Sequence, residues 1–431
     1  MPPEPSPAPD FTPRPGFLRR LFGLRKSMSW KQAFTALKYP NYRLWFWSQT
    51  VSLFGMWMES TALAFLVFDL TKSPALLGVV GFAAGAPTWV FTLYAGVIAD
   101  RVPRRTLLMI TQTVMMTLAF VLAALTFLHW IQPWHILVIA GLLGTANAFE
   151  APSRQSFILE MVEPEDMTNA IALNAAMFNS AMAVGPAAAG LVYAFFGPAW
   201  CFVVNGATFL AVIAALGKMT LRPFVPPAAR TSALADLKEG LKYVAAHPLI
   251  RTIIGLIGVV SLFGISFVTL FPAWAVDVLH GDAKTNGFLQ SARGLGAFIS
   301  ALLIASLGRF RFRGKLLTFG TFALPVAAAV FALVRWTPLS LLLIFGSGLA
   351  QVLIFNLSNA LVQTYAPDAL RGRIMGIYTL VFFGLMPVGA LGVGLTAERF
   401  GPPAAVLVGA GVMLGAATAL AVLMPHLRRQ P

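Results

Sequence analysis

Twelve long apolar stretches mark out this chain, at 44–69, 75–99, 106–129, 135–159, 169–196, 200–219, 251–277, 286–307, 316–335, 339–364, 374–397 and 403–424. A helix needs about 20 apolar residues to cross ~30 Å of hydrocarbon, and every stretch reaches that length. Strands of a barrel would alternate apolar and polar over segments of about ten residues; these runs are apolar nearly all round. With 58% hydrophobic and 11% charged residues, an ordinary soluble fold is excluded. The expected fold is an all-α membrane protein of twelve transmembrane helices, spans 1 to 12, arranged as two pseudo-symmetric six-helix bundles.

The formal net charge of +15 could suggest nucleic acid, but its distribution points to a membrane. Counted from a cytoplasmic N-terminus, 25 of the 31 Lys and Arg fall in inner segments: 1–43, 101–105, 218–251, 309–315, 371–373 and 428–429. Lys72, Lys284, Arg335 and Arg399 fall outside, and Arg154 and Arg293 lie within spans. Basic residues concentrate in cytoplasmic loops, so an integral protein of the cell (inner, cytoplasmic) membrane with both termini cytoplasmic is expected. One inner loop, 160–168, carries Glu160, Glu163, Glu165 and Asp166 and no base.

The expected organisation has five parts. Residues 1–40 form a Pro-rich, disordered tail with seven prolines in the first sixteen residues, ending in an interfacial helix over 29–38. Residues 41–219 and 251–425 form the two bundles, and 426–431 a cytoplasmic tail. Between the bundles, 220–250 forms a linker in which Leu234, Leu237, Leu241 and Val244 share one face of an amphipathic helix. No leader-type apolar segment opens the chain. Cys201 is the only cysteine, and no histidine pair has metal-ligand spacing, so neither a metal nor another cofactor is expected.

Between the second and third apolar runs lies Gly96-Val97-Ile98-Ala99-Asp100-Arg101-Val102-Pro103-Arg104-Arg105. In so apolar a chain this must be a polar turn between two helices. It resembles the signature of the major facilitator superfamily, Gly-x-Leu/Ile-Ala-Asp-Arg-x-x-Arg-Arg/Lys, at every specified position. The resemblance implies a conformational latch. Asp100 would pair with Arg101 or Arg104 and face the start of span 11, with Gly96, Arg105, Arg371 and Arg373 contributing. The acidic loop 160–168 would pair with the basic loop 309–315 across the inner mouth.

Glu150-Ala151-Pro152-Ser153-Arg154-Gln155-Ser156-Phe157, with Asn169 to Asn174, Gln363 to Pro367 and Arg371-Gly372-Arg373-Ile374, resembles one branch of that superfamily. The branch includes the enterobactin exporter and the macrolide efflux proteins. It implies proton-coupled efflux of amphipathic, drug- or siderophore-like cargo. In span 5, Gly185, Pro186 and Gly190 are similar to an antiporter motif, Gly-x-x-x-Gly-Pro-x-x-Gly-Gly, with Ala181 and Ala189 replacing two of its glycines. The same residues could equally shape a closely packed helix.

Ionisable groups at membrane depth are costly and mark functional sites. Glu59 is expected to couple to protons, to pack helices as a hydrogen-bonded acid, or to lie in an aqueous vestibule, and its neighbours Trp57 and Met58 are expected to line a greasy cavity. Glu150 and Arg154, spaced i, i+4, form either a self-compensating pair or one that opens for a proton or an anion. Arg293 has no acid in its own span, so its partner must be a remote carboxylate, such as Glu59, or a bound anion. The amides Asn147, Asn179, Gln351, Asn356 and Gln363 either line a cavity or bond to neighbouring helices. Expected partners are a small-molecule cargo, protons and the bilayer, with no nucleic acid, and the chain is expected to act as a monomer. An importer or lipid flippase is the alternative. A membrane-embedded enzyme is disfavoured, because no nucleophile–base pair or metal set is present and no loop could hold a catalytic domain.

Overall fold

A computed structural model of the chain describes residues 34–221, 233–307 and 313–423. Within them lie twelve helices long and apolar enough to cross a membrane. Spans 1 to 6 are Pro40–Thr71, Pro74–Arg101, Arg104–Phe127, Pro133–Phe157, Met167–Phe196 and Pro198–Lys218. Spans 7 to 12 are Pro248–Val278, Ala283–Leu307, Arg313–Leu333, Thr337–Tyr365, Arg371–Phe400 and Pro402–Leu423. Spans 1, 2, 4, 6 and 7 begin on a proline at the first helical turn, where a missing N–H costs nothing.

The packing order repeats. In the first bundle span 1 packs on spans 5 and 6, span 2 on span 4, and span 3 on spans 4 and 6. In the second, span 7 packs on spans 11 and 12, span 8 on span 10, and span 9 on spans 10 and 12. The two bundles are therefore the same arrangement used twice. They meet along two seams, span 2 against span 11 and span 5 against span 8.

The seams are built from glycine. A Cβ on Gly78 would sit 2.5 Å from the Ala390 carbonyl oxygen, and one on Gly85 2.1 Å from Pro387 Cγ. A Cβ on Gly287 would sit 2.4 Å from the Pro186 oxygen, and one on Gly294 2.3 Å from the Met182 oxygen. Without side chains there, helix backbones come into direct contact, the usual way membrane helices associate. Among the described glycines, the close approaches of Gly78, Gly190, Gly287 and Gly394 between bundles fall on the half of the molecule that carries Ser73 and Ala283, and those of Gly294 on Met182 and Gly384 on Trp89 fall near mid-span.

Three sequence expectations need correction. Span 7 is not a regular helix: it is α-helical to Val259, then π over Val260–Ile265, 3-10 over Ser266–Leu270 and π again over Trp274–Val278. Pro272 lacks the N–H that would bond to Val268, and Ser266 Oγ bonds instead to the carbonyls of Ser261 (2.8 Å) and Met386 (3.2 Å). The linker helix, Ala233–Ala246, packs through Leu237 and Val244 of the expected face but not Leu241, and the side chain of Leu234 lies outside the described residues. Leu237, Gly240 and Val244 turn to the second bundle, whereas Leu241 is 50% exposed. Gly240 fits against Ile377 and Arg373 of span 11. Of the expected interfacial helix, 29–33 lies outside the described residues, and Thr35–Lys38 is a single 3-10 turn.

Candidate functional site

Glu59 sits in the middle of span 1, facing span 6. Gly55, one turn earlier, lets the helices touch: a Cβ there would lie 2.6 Å from Asn205 Oδ1 and from Thr208 Oγ1. Asn205 Nδ2 donates to Glu59 Oε2, and Thr208 Oγ1 donates to Asn205 Oδ1 at 3.3 Å. Glu59 Oε1 has no hydrogen-bond partner. Met58 belongs to the apolar core of the first bundle, where it packs with Ala62, Leu63 and Phe202, so it does not line a cavity. Trp57 stands edge-on to Phe178, with ring centroids 5.8 Å apart, and its indole N–H is unpaired.

A second polar group forms where spans 1, 3 and 4 converge. Glu150 Oε1 lies 3.6 Å from Arg154 Nε and accepts from Gln112 Nε2 at 3.3 Å. The Glu150 side chain is 5% exposed and that of Arg154 22%. Gln49, Asn147 and Met56 share this pocket. Gln49 Nε2 and Gln112 Oε1 are buried without partners. Asn147 is exposed and donates to the Leu143 carbonyl at 3.1 Å. It lies about 180° round span 4 from exposed Val138 and about 140° from exposed Leu142, so it opens the pocket to the interior rather than to lipid. The sequence paired Glu150 with Arg154 correctly by spacing, but missed Gln49 and Gln112, single amides in apolar runs whose importance depends on neighbours from other helices.

The second bundle contributes Arg293 and Gln351, not a partner for Glu59. Arg293 Nη1 is 3.5 Å from Gln351 Oε1. The other amides divide. Asn356 and Gln363 are exposed, seven residues apart on one stripe of span 10, and Gln363 donates to Asn359. Gln351 lies about 140° away from Asn356 round the helix. Asn179 bonds only to its own helix, at the Ala175 oxygen.

Of the latch residues the resemblance implies, the basic ones can be placed. The side chains of Gly96 and Asp100 lie outside the described residues. Arg101 is exposed. Arg104 pairs with Glu160, and Arg105 donates to the carbonyls of Gly217 (2.9 Å) and Met219 (3.3 Å), all within the first bundle. Arg371 pairs with Asp368 and donates to the Gln363 carbonyl, and Arg373 pairs with Glu239 of the linker helix. In the acidic loop, Asp166 is held by Lys38 at 2.6 Å and accepts from Tyr39 at 2.8 Å. These bonds hold the Lys38 and Tyr39 protons more tightly than usual. Of the predicted bridge from this loop to 309–315, Glu160 and Asp166 are paired with Arg104 and Lys38 of their own half, and 309–312 lie outside the described residues.

The span 5 motif acts at helix contacts. A Cβ on Gly185 would lie 2.7 Å from Trp57 Cβ, and one on Gly190 2.6 Å from the Ala283 oxygen. Past Pro186, the Ala187 N–H donates across the seam to Ser291 Oγ at 2.8 Å. Ser73 and Glu398, a polar pair on the same side of the molecule, escaped the sequence reading altogether: Ser73 Oγ donates to Glu398 Oε2 at 2.7 Å.

Residues 31–430 match the model of a family described as transmembrane secretion effector. The chain is 27% identical over 384 residues to the multidrug efflux pump Tap of Mycolicibacterium fortuitum, covering 87% of this chain and 93% of Tap. It is 27% identical over 357 residues to the enterobactin exporter EntS of Shigella boydii, covering 81% and 84% respectively. Its fold resembles that of the nucleoside transporter NupG, with a TM-score of 0.68 at 17% identity over 89% of this chain and 98% of that one.

Proposed function

The chain belongs to the transmembrane secretion effector family of the major facilitator superfamily, and on that footing we propose that it exports amphipathic, drug- or siderophore-like small molecules in exchange for protons. Its fold and family make it a multi-pass membrane transporter and not an enzyme. In our reading it works as a monomer in the cytoplasmic membrane, with both termini inside, and alternates access by rocking the bundles about their two seams.

One observation carries the coupling assignment: Glu150 is a buried carboxylate shared by Arg154 and Gln112, beside Gln49 Nε2, which has no partner, and beside exposed Asn147. A carboxylate so placed can take a proton, release Arg154 and pass its hydrogen bonds to waiting groups. Glu59, held against Asn205 inside the bundle, serves as a packing acid. The export direction is supported by the relatives Tap and EntS, an efflux pump and an exporter.

The test uses inside-out vesicles carrying a respiration-driven proton gradient, challenged with cationic amphiphiles, macrolides and siderophores. Wild type should release protons on addition of cargo, Glu150→Gln should not, and Glu59→Gln should still do so. Silence toward the whole panel from correctly folded protein would remove the export reading. Coupling lost in Glu59→Gln but kept in Glu150→Gln would move the proton site to span 1.

A further inference from the structure

Arg293 is a guanidinium without an acid. It stands eleventh of the 25 residues of span 8, and Gln351 fifteenth of the 29 of span 10, so both lie near mid-depth. Among the described residues its single side-chain hydrogen bond is the long one to Gln351, and its Nε–H, buried, has no acceptor. No carboxylate among the described residues is within ion-pair distance of it. An arginine at such depth is costly unless paired or facing water.

Its direction excludes lipid. Phe288, Leu295 and Leu302 are exposed at 42%, 45% and 53% and recur every seven residues, which marks the lipid face of span 8. Arg293 is about 200° round the helix from Leu295, on the side where Asn286 and Ala297 are buried. It is nevertheless only half-buried. The guanidinium thus opens into the protein interior rather than to the bilayer. Gly348 sets the geometry: a Cβ there would lie 2.1 Å from the Arg293 carbonyl oxygen, so span 10 comes into backbone contact and delivers Gln351, one turn on, beside the guanidinium. A planar fork of N–H donors backed by a primary amide suits a carboxylate or a phosphate group.

We propose that Arg293 and Gln351 form the head-group subsite of the cargo path and select molecules that carry an anionic group on an apolar body. The proposal rests on the transport reading above. It puts anion recognition in the second bundle, separate from the carboxylate of the first. Two sources could supply such a ligand, a free anionic amphiphile or an anionic lipid.

The test is equilibrium binding to the full chain in phosphatidylcholine nanodiscs, with no gradient, so that failure of coupled export leaves it unaffected. The probes are dansyl-phenylalanine and its methyl ester, which share a body and differ in charge. The acid should bind at least tenfold more tightly than the ester. Arg293→Gln should abolish that difference while leaving ester affinity unchanged, which also shows that the variant is folded. Arg293→Lys, which keeps charge but loses the fork, should retain part of it, and Gln351→Leu should weaken it. Displacement of the acid by added phosphatidylglycerol supports the subsite with lipid as the source, and lack of displacement supports it with a free amphiphile. Equal affinity for acid and ester, no saturable binding of the acid, or a preference intact in Arg293→Gln overturns the proposal.

Discussion

Glu398, near the end of span 11, caps the start of span 2: its Oε2 accepts from Ser73 Oγ at 2.7 Å and from the Ala75 N–H at 3.0 Å. A carboxylate of the second bundle thereby satisfies a free N–H at the first turn of a helix in the first bundle, where its charge also favours the helix dipole. Caps of this kind are worth about 1 kcal/mol, enough for a severalfold change in a two-state equilibrium. Glu398→Ala should loosen this end of the molecule. A cysteine replacing Ser291, which is 9% exposed in the span 5–span 8 seam, reports the opening. In the proposed topology, with both termini inside, an impermeant maleimide added outside should label it severalfold faster in Glu398→Ala than in the parent. An unchanged rate would show that the cap does not hold the seam.

Glycines at the seams and glycines inside a bundle should fail differently. Gly78→Ala and Gly287→Ala place a methyl against a carbonyl of the other bundle, so each bundle can remain folded while the two part. Gly144→Ala places it 2.0 Å from the Ala84 oxygen of its own bundle. Overpacking costs roughly 1–3 kcal/mol. Thermal unfolding should show that loss for Gly144→Ala, whereas Gly78→Ala should chiefly raise Ser291→Cys labelling. An equal fall in unfolding temperature for both would refute the distinction.

Glu59 and Asn205 should behave as a packing pair. Glu59→Gln preserves an acceptor for Asn205 and should unfold near the wild-type temperature. Asn205→Leu leaves the acid buried without a donor, a loss of about 1–3 kcal/mol, and Glu59→Gln added to it should recover most of that. Unfolding followed by tryptophan fluorescence decides, and a double variant no more stable than Asn205→Leu alone would contradict the pairing.

Docking of the linker helix depends on Gly240. A Cβ there already comes within 2.9 Å of Ile377 Cδ1, so Gly240→Leu should lift the helix off span 11, a displacement the exposed Arg373–Glu239 pair is too weak to resist. Trypsin should then cleave at Lys238 and Lys242 several times faster, with the bundles left intact. An unaltered digestion rate would mean that other contacts hold the helix.

The sequence revealed what depends on a single helix. Apolar length located all twelve spans, and i, i+4 spacing joined Glu150 to Arg154. It placed most span starts a few residues late because first turns such as Asn41-Tyr42-Arg43 are polar or aromatic, yet they are wound behind Pro40. What it could not show depends on two helices meeting. Gln112 matters through Glu150, 38 residues on, and Glu398 through Ser73, 325 residues away. The irregular winding of span 7 was hidden because its residues are as apolar as those of a regular helix, and only Pro272 and the Ser266 hydrogen bonds distinguish it.

A closure made of carbonyl oxygens, α-carbons and glycines has almost nothing in it to titrate or to screen. Its tightness follows from shape, so it should hold nearly constant across pH and salt, with Glu398 as the charged exception. On the proposed exchange of cargo for protons, the pH sensitivity of transport would reside away from this closure, in the few carboxylates buried within the bundles. The barrier against leakage and the proposed proton site would thus be set by separate residues and could be altered independently.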